Sequence, residues 1–246
     1  MHPEKDGVDK FRAFRQWNQL RQLYRSLGLS VHTMKQSEDL PDMVFAANFG
    51  FVLNNTFIKS NYKYDERKKE AEYGKRFFKE KGFGIYELPA DVVFEGQGDL
   101  LKVGNTYFFG WGKRSDQKAK KYLEKVLGTK VIDLELVNPY FYHLDTCFAP
   151  LDETTVAINP FSFNADGLKK IHQHFPNVIL VGKDDNNVLA CNLVVIEKTV
   201  ITSQGVTKEF KDNLAAYSFS IKEVPMDQFL KGGGGVKCLT FEYFKE

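Results

Sequence analysis

The strongest constraint on this chain is an order of segments that repeats along its 246 residues. Phe11, Phe14, Leu20, Leu23 and Leu27 stand near helical spacing, and Gly28 is a helix stop. Strands are expected next, at 30–34 and 43–53. A second unit opens on a charged helix over 65–81. Strands follow at 84–88 and 100–110, the latter folded at Gly104-Asn105. A third unit has a helix over 116–127, stopped by Gly128, with strands at 130–136, 146–150 and 155–159. A fourth runs from a helix at 165–174 to a strand at 178–181 and a hairpin across 188–201. A fifth has a helix at 206–216, a strand at 217–224, a helical turn near 226–231 and a last strand holding Cys238.

Units of about 40–50 residues that each bury one helix face could close into a ring with the helices outside. The expected architecture is therefore a five-bladed, pseudo-symmetric α/β propeller around a central site. A doubly wound sheet is the rival. It is mostly parallel, whereas the hairpin at 100–110 demands antiparallel neighbours. No linker rich in Pro, Ser or Gly divides the chain, so one domain over 1–246 is expected. The 22 phenylalanines suggest a large aromatic core, and 34 basic against 32 acidic residues leave no electrostatic footprint for nucleic acid. Cys147, Cys191 and Cys238 do not make a disulfide framework and fit a reducing, cytoplasmic compartment. No apolar stretch approaches the roughly 18 residues of a membrane helix, and residues 1–10 carry no signal-peptide core.

Polar residues cluster at the ends of the expected strands. Asn48 lies in an apolar stretch, where an amide is costly unless hydrogen-bonded. Glu95 and Asp99 flank Gly96 and Gly98, a segment that by itself reads first as an ordinary turn. His143 and Asp145 are two residues apart and share a face of any extended segment. Cys238 follows the glycines at 232–235 and sits beside Lys237, a cation that would favour its thiolate. A flexible tail with an inert cysteine is the other reading of that segment. The run of charges at 63–81 reads as a solvated helix face, and Cys147 and Cys191 read as packed thiols. His172 and His174 have no partners that suggest a metal.

A ring would aim a nucleophile, an acid/base and two carboxylates, each from a different unit, at one centre. Carboxylates around a thiolate suit a flat cation rich in N–H donors, of which guanidinium is the obvious one. The segments that carry this chemistry are MVFAANFG at 43–50, FEGQGDLL at 94–101, GKRSDQ at 112–117, FYHLDTCFAPL at 141–151, ACN at 190–192 and GGGGVKCLT at 232–240. In sequence and order they resemble the guanidino-group-modifying superfamily of arginine deiminases, dimethylarginine dimethylaminohydrolases and amidinotransferases. Its fold is the pentein, a five-bladed α/β propeller. The nearest branch is that of the arginine dihydrolases.

The resemblance implies roles. Cys238 would attack the guanidinium carbon, and His143 would protonate the departing nitrogen and then activate water. Glu95 and Asp145 would hold the guanidinium nitrogens, Arg114 the substrate carboxylate, and Asn48 would be a further guanidinium-facing group. Asp99 matches a structural position. Asn48 stands where deiminases carry aspartate, a difference that accompanies hydrolysis past citrulline to ornithine in the dihydrolase branch. Relatives have a strand before the first helix that ends in a segment reaching the site. Here Met1, His2 and Pro3 stand about where that segment would end, so the first blade is expected to lack a strand. The resemblance implies a cofactor-free hydrolase of arginine or an analogue, with a small guanidino substrate, no nucleic-acid or membrane partner, and a homodimer as one assembly open to it. An amidinotransferase using the same Cys/His site and a non-catalytic pentein binding protein are the alternatives.

Overall fold

The structure is a computed structural model that describes residues 7–244. The expectation attached to Met1, His2 and Pro3 lies outside the described residues. Helix α1 (Lys10–Ser26) begins at Asp9, whose carboxylate accepts the Arg12 N–H. It buries Gln16, Leu20 and Tyr24, while Phe11 and Phe14 stay exposed. The first full unit is a hairpin of β1 (Gly50–Leu53) and β2 (Thr56–Lys59), helix α2 (Asp65–Glu80) and β3 (Gly84–Glu87). The second is β4 (Leu100–Val103), β5 (Thr106–Trp111), α3 (Ala119–Leu127) and β6 (Val131–Glu135). The third is β7 (Phe148–Pro150), β8 (Thr155–Ile158), α4 (Ala165–His174) and β9 (Asn177–Leu180). After a short α5 (Lys183–Asn187), the fourth is β10 (Val194–Ile196), β11 (Thr199–Ser203), α6 (Lys208–Ala216) and β12 (Ser220–Val224), with α7 (Asp227–Leu230) closing the ordered elements.

Each unit makes one three-stranded sheet, four among the described residues. In each, the hairpin pair is antiparallel, and the strand after the helix joins parallel to the hairpin's second strand. A two-residue turn suffices for the antiparallel pair, whereas the parallel one needs a helical crossover. Local chemistry sets the boundaries. Asn164 caps α4 by accepting the Gly167 N–H at 2.8 Å, Thr207 caps α6 through the Phe210 N–H at 3.1 Å, and Gly128 ends α3 at φ 67°. Four separate mixed sheets overturn the doubly wound alternative. Phe57, Phe94, Phe108, Phe109, Phe148, Phe175 and Phe210 are all fully buried, so much of the phenylalanine content goes into the core, while Phe11, Phe14, Phe161 and Phe244 stay exposed.

Four expected strands differ. Residues 30–34 form no strand. Residues 43–49 form two 3-10 turns, Pro41–Val44 and Ala46–Phe49, so their alternating apolar pattern fills the core from turns and not from a pleat. Residues 188–193 form a turn after α5, because Leu189 takes φ 52°, which a strand cannot hold. The Cys238 segment is also a turn. Its bonds run Leu239 N to Gly235 O at 3.3 Å and Thr240 N to Lys237 O at 2.9 Å, back along the chain instead of across a ladder. The glycines before it make room for the protein's own atoms. A Cβ on Gly234 would stand 2.3 Å from the Phe45 ring, and Gly233 needs φ 85°.

Those corrected segments are the structural basis of the centre. A tight turn precedes the first strand of every sheet, and the Cys238 turn is a fifth. Hydrogen bonds link the five into a closed cycle. Asn48 Nδ2 donates to Glu95 O at 3.2 Å, and Leu144 N to Asp99 Oδ1 at 3.1 Å. Asn192 Nδ2 donates to Asp145 O at 3.1 Å, Cys238 N to Asn192 Oδ1 at 3.0 Å, and Ala47 N to Cys238 O at 3.1 Å. The sector behind the fifth turn holds no sheet among the described residues. There α1 and α7 pack Leu20, Tyr24, Met226 and Phe229 against Val224 and Val236.

Candidate active site

Cys238 is buried in the fifth turn of this cycle, 4% exposed. Its thiol donates to Asp145 Oδ2 at 3.4 Å and its sulfur accepts from Asn192 Nδ2 at 3.1 Å. Burial pushes the thiol well above its ordinary range. The Asp145 charge pushes the same way, while the Gly235 N–H and Asn192 oppose it. The activating role expected of Lys237 is not seen. The Lys237 ammonium pairs with Gln97 Oε1 at 3.1 Å and with Glu242. Asp145 lies in a 3-10 turn (Leu144–Thr146) and not in an extended stretch with His143. Its Oδ1 has no hydrogen-bond partner, and burial raises its carboxyl to about 7 despite the charge of Lys237.

Glu95 and His143 form the second half of the site, both completely or almost completely buried. His143 Nε2 lies 2.7 Å from Glu95 Oε2. Burial works against ionisation of Glu95, but the hydrogen bond and charge of His143, with Arg114 behind, pull it down to about 2. An ionised carboxylate only accepts, so Nε2 carries the proton of this bond. Arg114 also donates to Glu95 Oε2, at 3.1 Å, and its guanidinium lies between the rings of Tyr64 and Tyr142 at 4.8 and 4.7 Å. The Tyr142 hydroxyl donates to Gly233 O at 3.4 Å, which ties the glycine-rich turn to the His143 side.

Asn48 uses its amide on the protein itself, donating to Glu95 O and accepting from Arg67 at 3.3 Å. A Cβ on Gly98 would stand 2.2 Å from Asn48 Nδ2, so only glycine admits this approach. Arg67 makes a forked pair with Glu70 and stacks on Tyr62 at 4.7 Å. This pair is buried although the run of charges around it reads as solvent-facing. Asp99 accepts from Ser115 Oγ at 2.6 Å and from Leu144 N, which makes it a brace between two turns. Burial raises its carboxyl to about 7, against the pull of His143.

The raised carboxyls have a consequence for stability. Unfolded aspartates titrate near 3.9. Between about 4 and about 7 the folded chain therefore holds protons that the unfolded chain has lost. The stability contributed by Asp99 and Asp145 is complete below that window and falls as pH rises through it. Asp99→Asn keeps the Leu144 contact and removes one of these groups. Urea midpoints at pH 5 to 8 should then decline less steeply than in the wild type, and equal slopes would refute the assignment.

The structure thus brings Cys238 to Asp145, and His143 and Arg114 to Glu95, with Asn48 and Asp99 bracing the turns. The residues not singled out from sequence are Asn192, Arg67, Glu70, Ser115 and Tyr142. Asn192 did carry a signal, an amide inside the apolar run 188–196, the same sign that marks Asn48. Among the described residues no cluster of His, Cys, Asp and Glu could hold a metal, and no helix is long and apolar enough to cross a membrane.

A family model described as N,N dimethylarginine dimethylhydrolase, eukaryotic, matches residues 4–245. The bifunctional arginine dihydrolase/ornithine cyclodeaminase ArgZ of Synechocystis sp. is 39% identical over 233 residues, which is 93% of this chain and 33% of that protein. The chain thus spans one third of the length of this relative. The N(G),N(G)-dimethylarginine dimethylaminohydrolase of Mycobacterium tuberculosis is 37% identical over 235 residues, 96% of this chain and 77% of that one. Among solved structures, the N-terminal domain of ArgZ covalently bound to a reaction intermediate superposes with a TM-score of 0.95 at 36% identity, over 100% of this chain and 92% of that one. A cysteine-to-serine mutant of that domain bound to substrate gives 0.92 at 37% identity, over 95% and 87%.

Proposed function

Because the chain belongs to the N,N dimethylarginine dimethylhydrolase family, we propose that it hydrolyses the guanidino group of L-arginine through a covalent intermediate on Cys238. We read its four sheets and its fifth, helix-filled sector as a five-bladed pentein in one domain. The observation that carries the functional reading is the convergence of a buried thiol, an imidazole and two carboxylates from three different turns of one closed cycle. ArgZ, whose N-terminal domain is known with substrate and with a covalent intermediate, supports arginine as the first substrate to test.

The chemistry follows from the electrostatics. Burial and Asp145 keep the Cys238 thiol protonated. A guanidinium brings a positive charge and several N–H donors. The vacant Asp145 Oδ1 and the Glu95 carboxylate are acceptors for them. The cation's charge beside the sulfur favours the thiolate, the thiol proton passes to His143, and the thiolate adds to the guanidinium carbon. The C–N bond then breaks, and the leaving nitrogen departs as ammonia with a proton from His143. Glu95, ionised at all working pH, holds the counter-charge of the protonated imidazole. His143 next takes a proton from water, the hydroxide adds to the same carbon, and the carbon–sulfur bond breaks to restore the thiolate.

Incubation with L-arginine, following ammonia, citrulline, ornithine and urea together, tests this reading. Ornithine with two ammonia and no urea is the expected outcome, because a second round on citrulline, in which the thiolate adds to the ureido carbon, ammonia leaves and water releases a carbamate, ends in loss of CO2. Citrulline alone would make the chain a deiminase. Release of dimethylamine from dimethylarginine, with arginine untouched, would move the substrate. Product that forms only with an added amine would indicate a transferase. Arg114 is read as the anchor of the substrate carboxylate, which requires it to release Glu95. Arg114→Ala should raise KM for arginine by about 10- to 100-fold, the range for one lost charge-assisted hydrogen bond. It should change KM far less for agmatine, which has no carboxylate. Equal effects on both compounds would remove the anchor role.

A further inference from the structure

Asn192 sits where the nucleophile's turn meets its neighbour, completely buried. Its Oδ1 accepts two backbone N–H groups, from Gly235 at 3.0 Å and from Cys238 at 3.0 Å. Its Nδ2 donates to Asp145 O at 3.1 Å and to Cys238 Sγ at 3.1 Å. These four bonds use all the donors and acceptors of the amide. They also decide its orientation, because an NH2 group could not face two N–H donors. The side chain cannot turn away without leaving buried polar groups unpaired.

We propose that Asn192 is a catalytic hydrogen-bond donor to the Cys238 sulfur, and that the same amide holds the 235–239 turn in the shape that presents this sulfur. The proposal rests on the reading of Cys238 as the nucleophile. A sulfur that becomes an anion in a buried site needs a donor already aimed at it, since solvent cannot supply one. Asn192 supplies that donor from outside the guanidinium-binding set. Its carbonyl end clamps the backbone on both sides of the turn, so the donor and the sulfur keep one geometry. Asp145 also bonds the thiol, but a carboxylate repels the thiolate, which leaves Asn192 as the side chain that favours it.

Asn192→Asp is the informative variant. A carboxylate still accepts from Gly235 and Cys238 but cannot donate to sulfur, and it adds a negative charge beside it. The rate of Cys238 alkylation by iodoacetamide, measured against pH with Cys238→Ser as the background, should show its midpoint raised by about one unit or more. The kcat should fall about 10²- to 10³-fold with KM little changed. A folded Asn192→Asp protein with the wild-type alkylation profile and kcat overturns the proposal. Should that variant fail to fold, the wild-type protein still decides. The Asn192 side-chain amide protons, followed by NMR, should shift with the same midpoint as thiolate absorbance, and their constancy would overturn it. Alkylation and NMR do not need turnover. If the wild type hydrolyses no guanidino compound, the functional reading fails while the Asn192 test stands.

Discussion

Replacing Cys238 by serine should lower turnover of arginine by about 10⁴- to 10⁶-fold, the scale seen when a covalent nucleophile is removed. The fold should survive. A serine hydroxyl can donate to Asp145 and accept from Asn192 as the thiol does. It fills slightly less of a site already lined by Phe45 and Val236. Melting temperature should therefore stay within a few degrees, and arginine should still bind, because the carboxylates that receive the guanidinium are untouched. Calorimetric titration with arginine beside a product assay separates the two effects. Near-normal turnover by Cys238→Ser would end the covalent mechanism. Loss of binding together with turnover would mean that the substitution disturbed the turn instead of the chemistry.

The second large effect is expected at Glu95. Its carboxylate is fully buried and meets His143 Nε2 at 2.7 Å, Arg114 at 3.1 Å and the Lys63 N–H at 3.2 Å. Glu95→Gln preserves shape but removes the anion. It leaves the Arg114 guanidinium and any protonated His143 without a counter-charge in a place solvent hardly reaches. Breaking one side of a buried charge pair typically costs about 3–5 kcal/mol. The variant should therefore lose a comparable amount of unfolding free energy at pH 7, read by urea denaturation. Catalysis should fall by about 10²- to 10⁴-fold, the range for loss of general acid/base function. The carboxyl ionises near 2 in the folded chain, against about 4.3 in an unfolded one. Its stabilisation is thus present above about 4 and disappears as pH falls toward 2. Wild type and Glu95→Gln should converge in stability on acidification. A constant gap between them down to pH 2 would show that packing, not charge, holds the site.

Several features were legible before any tertiary contact was known. Helix α4 matches its expected span, and α2, α3 and α6 end within a few residues of theirs, because capping and spacing are local. The β4–β5 hairpin turns at Gly104-Asn105 as the sequence indicates. Three of the four strands that failed share one physical cause. In 43–49, 188–193 and 235–239, apolar residues fill the core from tight turns, and a pattern of burial does not distinguish a turn from a pleat. The run at 63–81 misled for a related reason. Most of its charges are solvated, but Arg67 and Glu70 pair inward against Tyr62 and Asn48, and no local signal separates those two from their neighbours.

The sequence by itself determined a repeating order of helices and strands, and the kinds of groups available for chemistry: one thiol after a glycine run, one imidazole two residues from a carboxylate, and two further carboxylates flanking a pair of glycines. Capping and turn propensity act over a few residues, so sequence carries them. Only the tertiary structure decided which groups meet. Cys238 reaches Asn192 and Asp145 across 46 and 93 residues, and His143 reaches Glu95 across 48. It also decided that Lys237 turns to Gln97 and Glu242 and that Arg114 lies on Glu95. Those pairings depend on the closure of five turns into one cycle, and closure is a property of the packed core as a whole.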